Sequence, residues 1–409
     1  MKFLVLNLLC FAAVLAGTEK TAAQAIPLMP PQGFSAPKGL VLGTTQFFAG
    51  LNSTLDVTDN ERYDDISDQK DGIRLTLNPN LSWQGKFVDT VYFGSLGYQY
   101  YRTKDDAGEK DIQKSFPIGG AGVTQNIGKY GDLSVNGSVF ENEEKNSPEA
   151  GADAFSLRVE LTTLGSRASF DFGGFLIRGN YSWKGAHYEY EQSQNDLAIE
   201  VDRDDYDYAA SFGVRIGDHK IYIGYGGTDT SGDTAGGIDI DTDQRQVGIS
   251  AEGRMANLGY TVNLGHGKIT YDLTTIKEQS AFFGSVELSY NVQDDLKFYA
   301  SGKRYFANNI LVNEPGYIIN DIALSGQFDY SPKTFFKAGV GHYRGKVLAT
   351  VQNYVKKSVD VTIGQHITDN VSTFFSLMRT QQMPNDAALT AGYTKWKENK
   401  ATFKVNVKF

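Results

Sequence analysis

Residues 73–83 read IRLTLNPNLSW, and this stretch decides the fold. Every second side chain from Ile73 to Trp83 is apolar, whereas the side chains between them, from Arg74 to Ser82, are polar. A strand shows this alternation when its two faces meet different surroundings, because successive side chains point to opposite sides. The stretch therefore predicts a β-strand with one apolar face and one polar face.

The same alternation recurs along the chain, at residues 208–215, 246–252 and 322–330. Gly (44), Tyr (23) and Phe (25) are abundant and Pro (10) is scarce, a composition that suits strands joined by tight turns. No helix of useful length is predicted beyond the N-terminal segment. The sequence therefore predicts an all-β fold.

Two kinds of connection alternate between these strands. The short ones are rich in turn residues and lie at 85–86, 129–131, 173–174, 217–218, 256–257, 294–295, 331–332 and 368–370. The long ones are polar, often acidic, and lie at 56–71, 104–111, 142–153, 191–205, 228–243, 268–278, 307–316, 345–353 and 381–390. Short periplasmic turns and long outer loops are typical of an outer-membrane β-barrel.

Counting about eight short turns and about nine long loops predicts a transmembrane antiparallel up-and-down barrel of about 18 strands. The alternation changes phase near Gly165 and Ser166, so the sequence does not decide whether one hairpin lies there. The alternative count is 16 strands. A secreted soluble β-protein is the rival class. A propeller would show a repeat of about 40–50 residues, and none is visible.

Composition excludes several other classes of protein. A helical transporter would need repeated apolar runs of about 20 residues, and only the N-terminal segment supplies one. The net charge of -9 argues against a nucleic-acid binder, which would need a basic face. The one cysteine, Cys10, lies in that N-terminal segment, so neither a disulfide framework nor a thiolate metal site is expected.

The first 25 residues have the pattern of a secretory signal peptide. Lys2 supplies the positive start, an apolar run follows, and Ala23 and Ala25 are the small residues of a cleavage site. We expect cleavage after Ala25, with an uncleaved N-terminal helix as the alternative. Residues 26–38 form a Pro-rich lead, and residues 39–409 are assigned to the barrel.

The last strand also points to the outer membrane. Phe403, Val405, Val407 and Phe409 are apolar at every second position, and Phe409 is the last residue of the sequence. This pattern resembles the signal that the barrel assembly machinery of Gram-negative bacteria reads. The expected surroundings are therefore outer-membrane lipid and lipopolysaccharide, and the assembly machinery is the expected transient partner.

If the apolar face meets lipid, the polar face lines a lumen. The predicted basic lining residues are Arg74, Arg158, Arg178, Lys184, Arg215, Arg254, Lys297, Lys303, Lys337 and Lys404. The same phase holds Glu160, Glu252, Glu287, Lys356 and Asp360. Basic residues outnumber acidic ones in this set, so the lumen is expected to favour anionic solutes. The alternative is that each charge pairs across strands and is merely solvated.

The sequence predicts no enzyme, cofactor or metal site. The histidines lack the spacing of a metal site, and no Gly-x-Ser-x-Gly elbow is present. The Asp-rich start at residues 239–243 fails as a calcium loop, because Gln244 stands where Gly is needed and Ser250 where Glu is needed. A barrel lipid hydrolase built on His187 or His342 is the less favoured alternative.

The chain resembles a family of β-barrel porins that is often associated with polysaccharide synthesis and export loci. The likeness rests on residues 47–51 with the Thr58-Asp59-Asn60 loop, on the 73–83 strand with Asn78-Pro79, and on the terminal Phe. The resemblance implies an outer-membrane channel that serves exopolysaccharide or capsule export. A structural or adhesive surface protein with a blocked lumen is the alternative.

Overall fold

The computed structural model describes residues 39–59, 71–105, 111–144, 154–192, 198–232, 241–272, 278–307, 317–347, 351–390 and 395–409. The predicted signal peptide and Pro-rich lead lie outside these residues. No helix in the described ranges is long and apolar enough to span a membrane. One short helix, α1 (Asp386–Thr390), is present where the sequence predicted none.

Nearly all described residues belong to nineteen strands. They are β1 (Leu40–Leu42), β2 (Thr45–Thr58), β3 (Gly72–Phe87), β4 (Thr90–Asp105), β5 (Asp111–Ile127), β6 (Gly131–Glu144), β7 (Ala154–Asp171), β8 (Phe175–Gln192), β9 (Ala198–Ile216), β10 (His219–Gly232), β11 (Thr242–Met255), β12 (Leu258–Tyr271), β13 (Gln279–Asn291), β14 (Leu296–Ala307), β15 (Tyr317–Ser331), β16 (Thr334–Val347), β17 (Asn353–His366), β18 (Val371–Pro384) and β19 (Trp396–Lys408).

Strands β2 to β19 form a closed antiparallel barrel of 18 strands, as the sequence predicted. Each strand pairs with its neighbour in sequence, and β19 pairs with β2 to close the sheet. Strand β7 continues without interruption through Gly165, so the 16-strand alternative is wrong. The alternation fades there because Ser166 and Ala168, rather than larger apolar residues, occupy the outward face.

The closing seam divides β2 between two partners. Its first residues pair with β1, for example Phe47 with Leu40, and its later residues pair with β19 from Gly50 onward. Reciprocal backbone hydrogen bonds join Ala49 and Phe409, with N–O distances of 3.2 and 2.8 Å. The short β1 and the end of β19 therefore follow each other along one edge of β2.

The connections alternate in length as the sequence predicted. The end of the barrel with the short connections is called the turn end, and the opposite end is called the loop end. The first turn lies at residues 88–89 rather than 85–86, and Val88 takes a positive φ of 53° there. At Gly217 (φ 59°), a glycine supplies the left-handed conformation that a two-residue hairpin favours.

Several strands extend further toward the loop end than the sequence predicted. Residues 198–205, predicted as part of a loop, form the start of β9. The second half of this segment, residues 202–205, has no apolar face, because strands that rise beyond the lipid meet water on the outside as well. Periodicity therefore could not reveal this part of the strand.

Large apolar side chains cover the outside of the barrel. Phe212 and Leu264 are 62% and 61% exposed, whereas polar residues in the opposite phase, such as Gln327 and Lys356, are buried. This is the reverse of a water-soluble protein. It is the arrangement expected of a barrel whose outer face meets lipid.

Candidate channel lumen

Contacts that skip strands identify the polar face as the concave one. Arg178 on β8 contacts Glu252 on β11 at 2.6 Å, although β9 and β10 lie between them. Arg215 on β9 likewise reaches Asp171 on β7, at 2.5 Å, across β8. Neighbouring strands lie about 4.8 Å apart, so such side chains can meet only where the sheet curves toward them. The polar phase therefore faces the lumen.

A four-residue cluster lies on the lumen wall near the turn end. Arg178 makes two hydrogen bonds to the Glu252 carboxylate, at 2.6 and 3.3 Å. Lys220 donates to the same carboxylate at 3.1 Å, and the Arg178 guanidinium lies 4.2 Å from the ring centroid of Tyr222. One carboxylate thus faces two cations, and the cluster as a whole carries a positive charge.

Gly213 allows this cluster to form. It lies on β9 opposite Tyr222, facing the lumen between Arg178 and its partners. A Cβ at Gly213 would lie 2.5 Å from Cδ1 of Tyr222 and 2.4 Å from the Ile221 carbonyl oxygen. The missing side chain lets the Tyr222 ring lie flat on the wall, and Arg178 extends over that ring.

A second charged cluster lies nearer the loop end. Buried Asp205 accepts hydrogen bonds from Arg203 at 2.8 Å and from Thr230 at 2.7 Å, and Lys184 lies 4.0 Å away. Arg203 and Asp205 belong to the part of β9 that the sequence placed in a loop. This misplaced strand start is the reason that they were missed as lining residues.

Three lysines form a column along the inward face of β19. Lys400 pairs with Asp56 at 3.0 Å, and the Lys408 ammonium lies 4.2 Å from the ring centroid of Phe48. Lys404, midway between them, has no hydrogen bond or ion pair within the described residues. The spacing of four residues puts successive ammonium groups on one inward line about 13 Å apart.

Five more of the predicted lining residues also lie in the inward phase. Lys297 pairs with Asp329 at 2.9 Å, and Lys303 pairs with Glu287 at 3.0 Å. The Arg74 guanidinium lies 5.4 Å from the ring centroid of Tyr101, and Arg254 donates to the Ala256 carbonyl. Lys337 is buried and lies opposite Gln327. Most of the predicted cations are thus paired or packed, as the alternative interpretation expected.

Glu160 was assigned to the wrong face. It is exposed in the outward phase, whereas its neighbours Val159 and Leu161 are 2% and 8% exposed. The sequence prediction assumed that apolar residues face lipid and polar residues face the lumen. Near the loop end of β7 the apolar residues instead face inward. Arg158 shares the backbone phase of Glu160, but its side chain lies outside the described residues, so its assignment stays a prediction.

Cations outnumber carboxylates on the described inward face. The cations are Arg74, Lys86, Lys114, Arg167, Arg178, Lys184, Arg203, Arg215, Lys220, Arg254, Lys297, Lys303, Lys337, Lys356, Lys400, Lys404 and Lys408. The carboxylates are Asp56, Asp132, Asp171, Asp205, Asp207, Glu252, Glu287, Asp321, Asp329, Asp360 and Glu398. The wall is therefore net basic in a chain that is net acidic.

An apolar cluster narrows the lumen at the loop end. Tyr317, Tyr343 and Tyr354 from β15 to β17 pack with fully buried Ala388 of α1. The Asn385 side chain accepts from the Ala388 N–H at 2.9 Å, which caps the helix, and from the Asn353 N–H at 3.1 Å. The connection after β18 therefore folds inward and is held against the start of β17.

The histidines do not assemble a hydrolase site in the described residues. His187 contacts Asp202 at 2.6 Å, and the residues directly opposite it on the neighbouring strands are Glu160 and Asp202, so neither opposite position holds a serine. His342 lies exposed on the outward face of β16. Among described residues, no group of three or more His, Cys, Asp or Glu is placed to hold a metal ion.

The assembly-signal residues lie on the outward face of β19, and Phe403 and Phe409 are exposed there. Recognition by the assembly machinery stays a prediction.

Comparison with known proteins shows the fold. Neither a family model nor a curated protein sequence matches the chain. A BenF-like porin from Pseudomonas fluorescens Pf-5 matches with a TM-score of 0.53 at 9% identity, covering 90% of this chain and 100% of that one. Pseudomonas aeruginosa OccK2 (OpdF) matches with a TM-score of 0.50 at 10% identity, covering 89% and 98%. The association with polysaccharide loci is not shown by these comparisons.

Proposed function

We propose that this protein is a porin-like channel of the outer membrane whose lumen favours small anionic solutes. The observation that carries the proposal is the closed barrel with an apolar outside and a net basic concave wall. A wall of one charge sign raises the local concentration of oppositely charged solutes and speeds their entry. The likeness to porin barrels supports the architecture, and the charge pattern of this chain supports the anion preference.

The lysine column of β19 is the part of the wall most suited to anion passage. Fully paired charges contribute little field, whereas Lys404 has no counter-charge among the described residues. A cation midway along a lumen provides a weak binding site for an anion between the two ends. Lys400 and Lys408 continue that path on both sides.

The loop end supports a selective channel rather than a wide one. The tyrosine cluster and α1 occupy the inward face of β15 to β17, which reduces the free cross-section of the lumen there. Phe283 packs against Phe306 at a ring-centroid distance of 4.4 Å, and Tyr305 packs against the tyrosine cluster. These aromatic side chains are engaged in packing, so they do not form the open stacking surface that a sugar polymer would need. Polysaccharide export stays a prediction without support here.

Small acids are the solutes to test first. OccK2, one of the structural matches, was crystallised in complex with glucuronate, a sugar carboxylate. At 10% identity this binding belongs to OccK2, and it supplies a probe of suitable charge and size for this chain.

The proposal is tested by the reversal potential of the refolded protein in a planar bilayer under a KCl gradient. We expect the wild type to prefer chloride and Lys404→Gln to lose much of that preference, because the unpaired inward charge is removed. Lys268→Gln is the control, since Lys268 faces outward and pairs with Glu278. Equal selectivity in wild type and Lys404→Gln would contradict the proposal.

A structural surface protein with a closed lumen is the second candidate. The inward packing of α1 favours it, because that packing begins to fill the mouth. The two candidates differ in a single observable: a barrel whose lumen is blocked passes no current under any gradient.

A further inference from the structure

The outward face of β16 to β18 changes from apolar to basic partway along the strands. On β16, Val340 is followed by His342 and Arg344 at the next outward positions toward the loop end, and on β18 Leu377 is followed by Arg379. From Val371, eight residues of a strand tilted by about 40° rise about 20 Å, near the top of an apolar band of about 25 Å. The basic residues therefore lie at the level of the outer-leaflet headgroups.

Strand register brings three of these cations together around Lys357 on β17. Lys357 lies directly opposite His342 on β16 and Gln381 on β18. Arg344 and Arg379 are its diagonal neighbours on the same two strands. Diagonal partners lie about 7–8 Å apart, within reach of long side chains. Arg344, Lys357 and Arg379 are called the basic rim.

The basic rim has no counter-charge from the described part of the protein. Its three members have no ion pair there, and the described outward positions of β14 to β19 contain no Asp or Glu. Like charges placed side by side on a sheet repel, which destabilises the pairing unless an anion lies between them. The rim therefore lacks a negative group that a ligand could supply.

Outward cations on β11 and β12 show the contrasting arrangement. Arg245 on β11 pairs with Asp229 at 2.7 Å and with Asp243 at 3.0 Å. Lys268 on β12 pairs with Glu278 at 2.5 Å. These cations also lie toward the loop end but already have carboxylate partners, whereas the basic rim has none among the described residues.

We propose that the basic rim binds the phosphate groups of a phosphorylated glycolipid of the outer leaflet, namely the lipid A part of lipopolysaccharide. Arginine forms paired hydrogen bonds with phosphate oxygens, and lysine supplies a point charge between the two arginines. The acyl chains would then lie against the apolar outward residues just below, such as Val359 and Leu377. The proposal depends on the outer-membrane placement proposed above but not on an open lumen.

The test measures binding of bisphosphorylated lipid A to the refolded full chain in detergent micelles. Wild type is compared with K357Q/R379Q and with R245Q/K268Q, so that each variant loses one lysine and one arginine from the outer face. We expect K357Q/R379Q to bind at least roughly tenfold more weakly and R245Q/K268Q to stay within about twofold of wild type. Heat-modifiable migration on a gel confirms that each variant is folded.

Further arms identify the ligand and the role of charge. K357R/R379K keeps both charges and should bind like wild type, whereas dephosphorylated lipid A and inorganic phosphate should bind much more weakly. Equal weakening in both neutralised variants, or equal binding of dephosphorylated lipid A, would overturn the proposal. Inorganic phosphate binding as tightly as lipid A would overturn the lipid assignment. Conductance of the same preparations tests the channel separately, since loss of current would leave these affinities unchanged.

Discussion

At the residue scale, the balance of charge on the lumen wall depends on a few carboxylates. Glu252 faces both Arg178 and Lys220. In Glu252→Gln these two cations lose their shared counter-charge and become available to passing anions. We therefore predict a stronger anion preference in Glu252→Gln, measured as a larger shift of the reversal potential toward the chloride equilibrium value.

Glu278→Gln is the matched control for this prediction. It also removes one carboxylate from an ion pair, but its partner Lys268 lies on the outward face. We expect its reversal potential to equal that of wild type. If Glu252→Gln also left selectivity unchanged, the cluster around Arg178 would not lie on the path of the ions.

Sequence reasoning predicted the phase of most lining residues but not their partners. Lys404 and Arg178 lie in the phase that the sequence predicts for them, because their strands alternate cleanly between apolar and polar positions. Glu160 was misplaced because Val159 and Leu161 are apolar residues that face inward. The contact between Arg178 and Glu252 crosses two strands and depends on Gly213 lacking a side chain, and no local pattern records such a contact.

At the element scale, the faces of a single strand can be tested by neighbouring substitutions in β18. Leu377 is 51% exposed on the outward face, and Ser376 faces the lumen. We predict that Leu377→Lys destabilises the barrel in lipid vesicles by about 2–4 kcal/mol, because it places a charge in the hydrocarbon. Ser376→Lys should cost much less. Denaturant unfolding in vesicles measures both, and a larger cost for Ser376→Lys than for Leu377→Lys would mean that the faces are reversed.

The inward helix α1 gives a second prediction at this scale. Asn385→Ala removes the acceptor for the Ala388 and Asn353 N–H groups, which should cost about 1 kcal/mol of local stability. We expect faster amide hydrogen exchange at residues 386–390, whereas Asn385→Asp, which keeps an acceptor oxygen, should remain protected. Unchanged exchange in Asn385→Ala would show that the side chain does not hold this connection in place.

Strand existence was easier to predict than strand ends. Apolar residues on the lipid side reveal the part of each strand that meets the membrane, as in residues 73–83. Residues 202–205 near the start of β9, which include Arg203 and Asp205, are polar on both faces and were predicted as loop. The helix α1 was missed because its stability comes from Ala388 packing on three tyrosines rather than from a helical pattern of its own.

At the scale of the whole molecule, the strand number followed from the alternation of short and long connections, and the register of β2 with β19 closes the barrel. The sequence could not show which inward side chains pair with each other or how much of the lumen they occupy. Charges that are distant in sequence pair across the wall, and an apolar cluster occupies the loop end. The account therefore predicts a narrow, selective passage rather than a wide pore.

The central claim is that the closed barrel encloses a water-filled, net basic passage. Single-channel current of the refolded wild-type protein in a planar bilayer, with ion selectivity, tests it most directly. We expect steady openings of small conductance that prefer chloride over potassium and that glucuronate reduces. A correctly folded, heat-modifiable barrel that passes no current, or one that prefers cations, would contradict it.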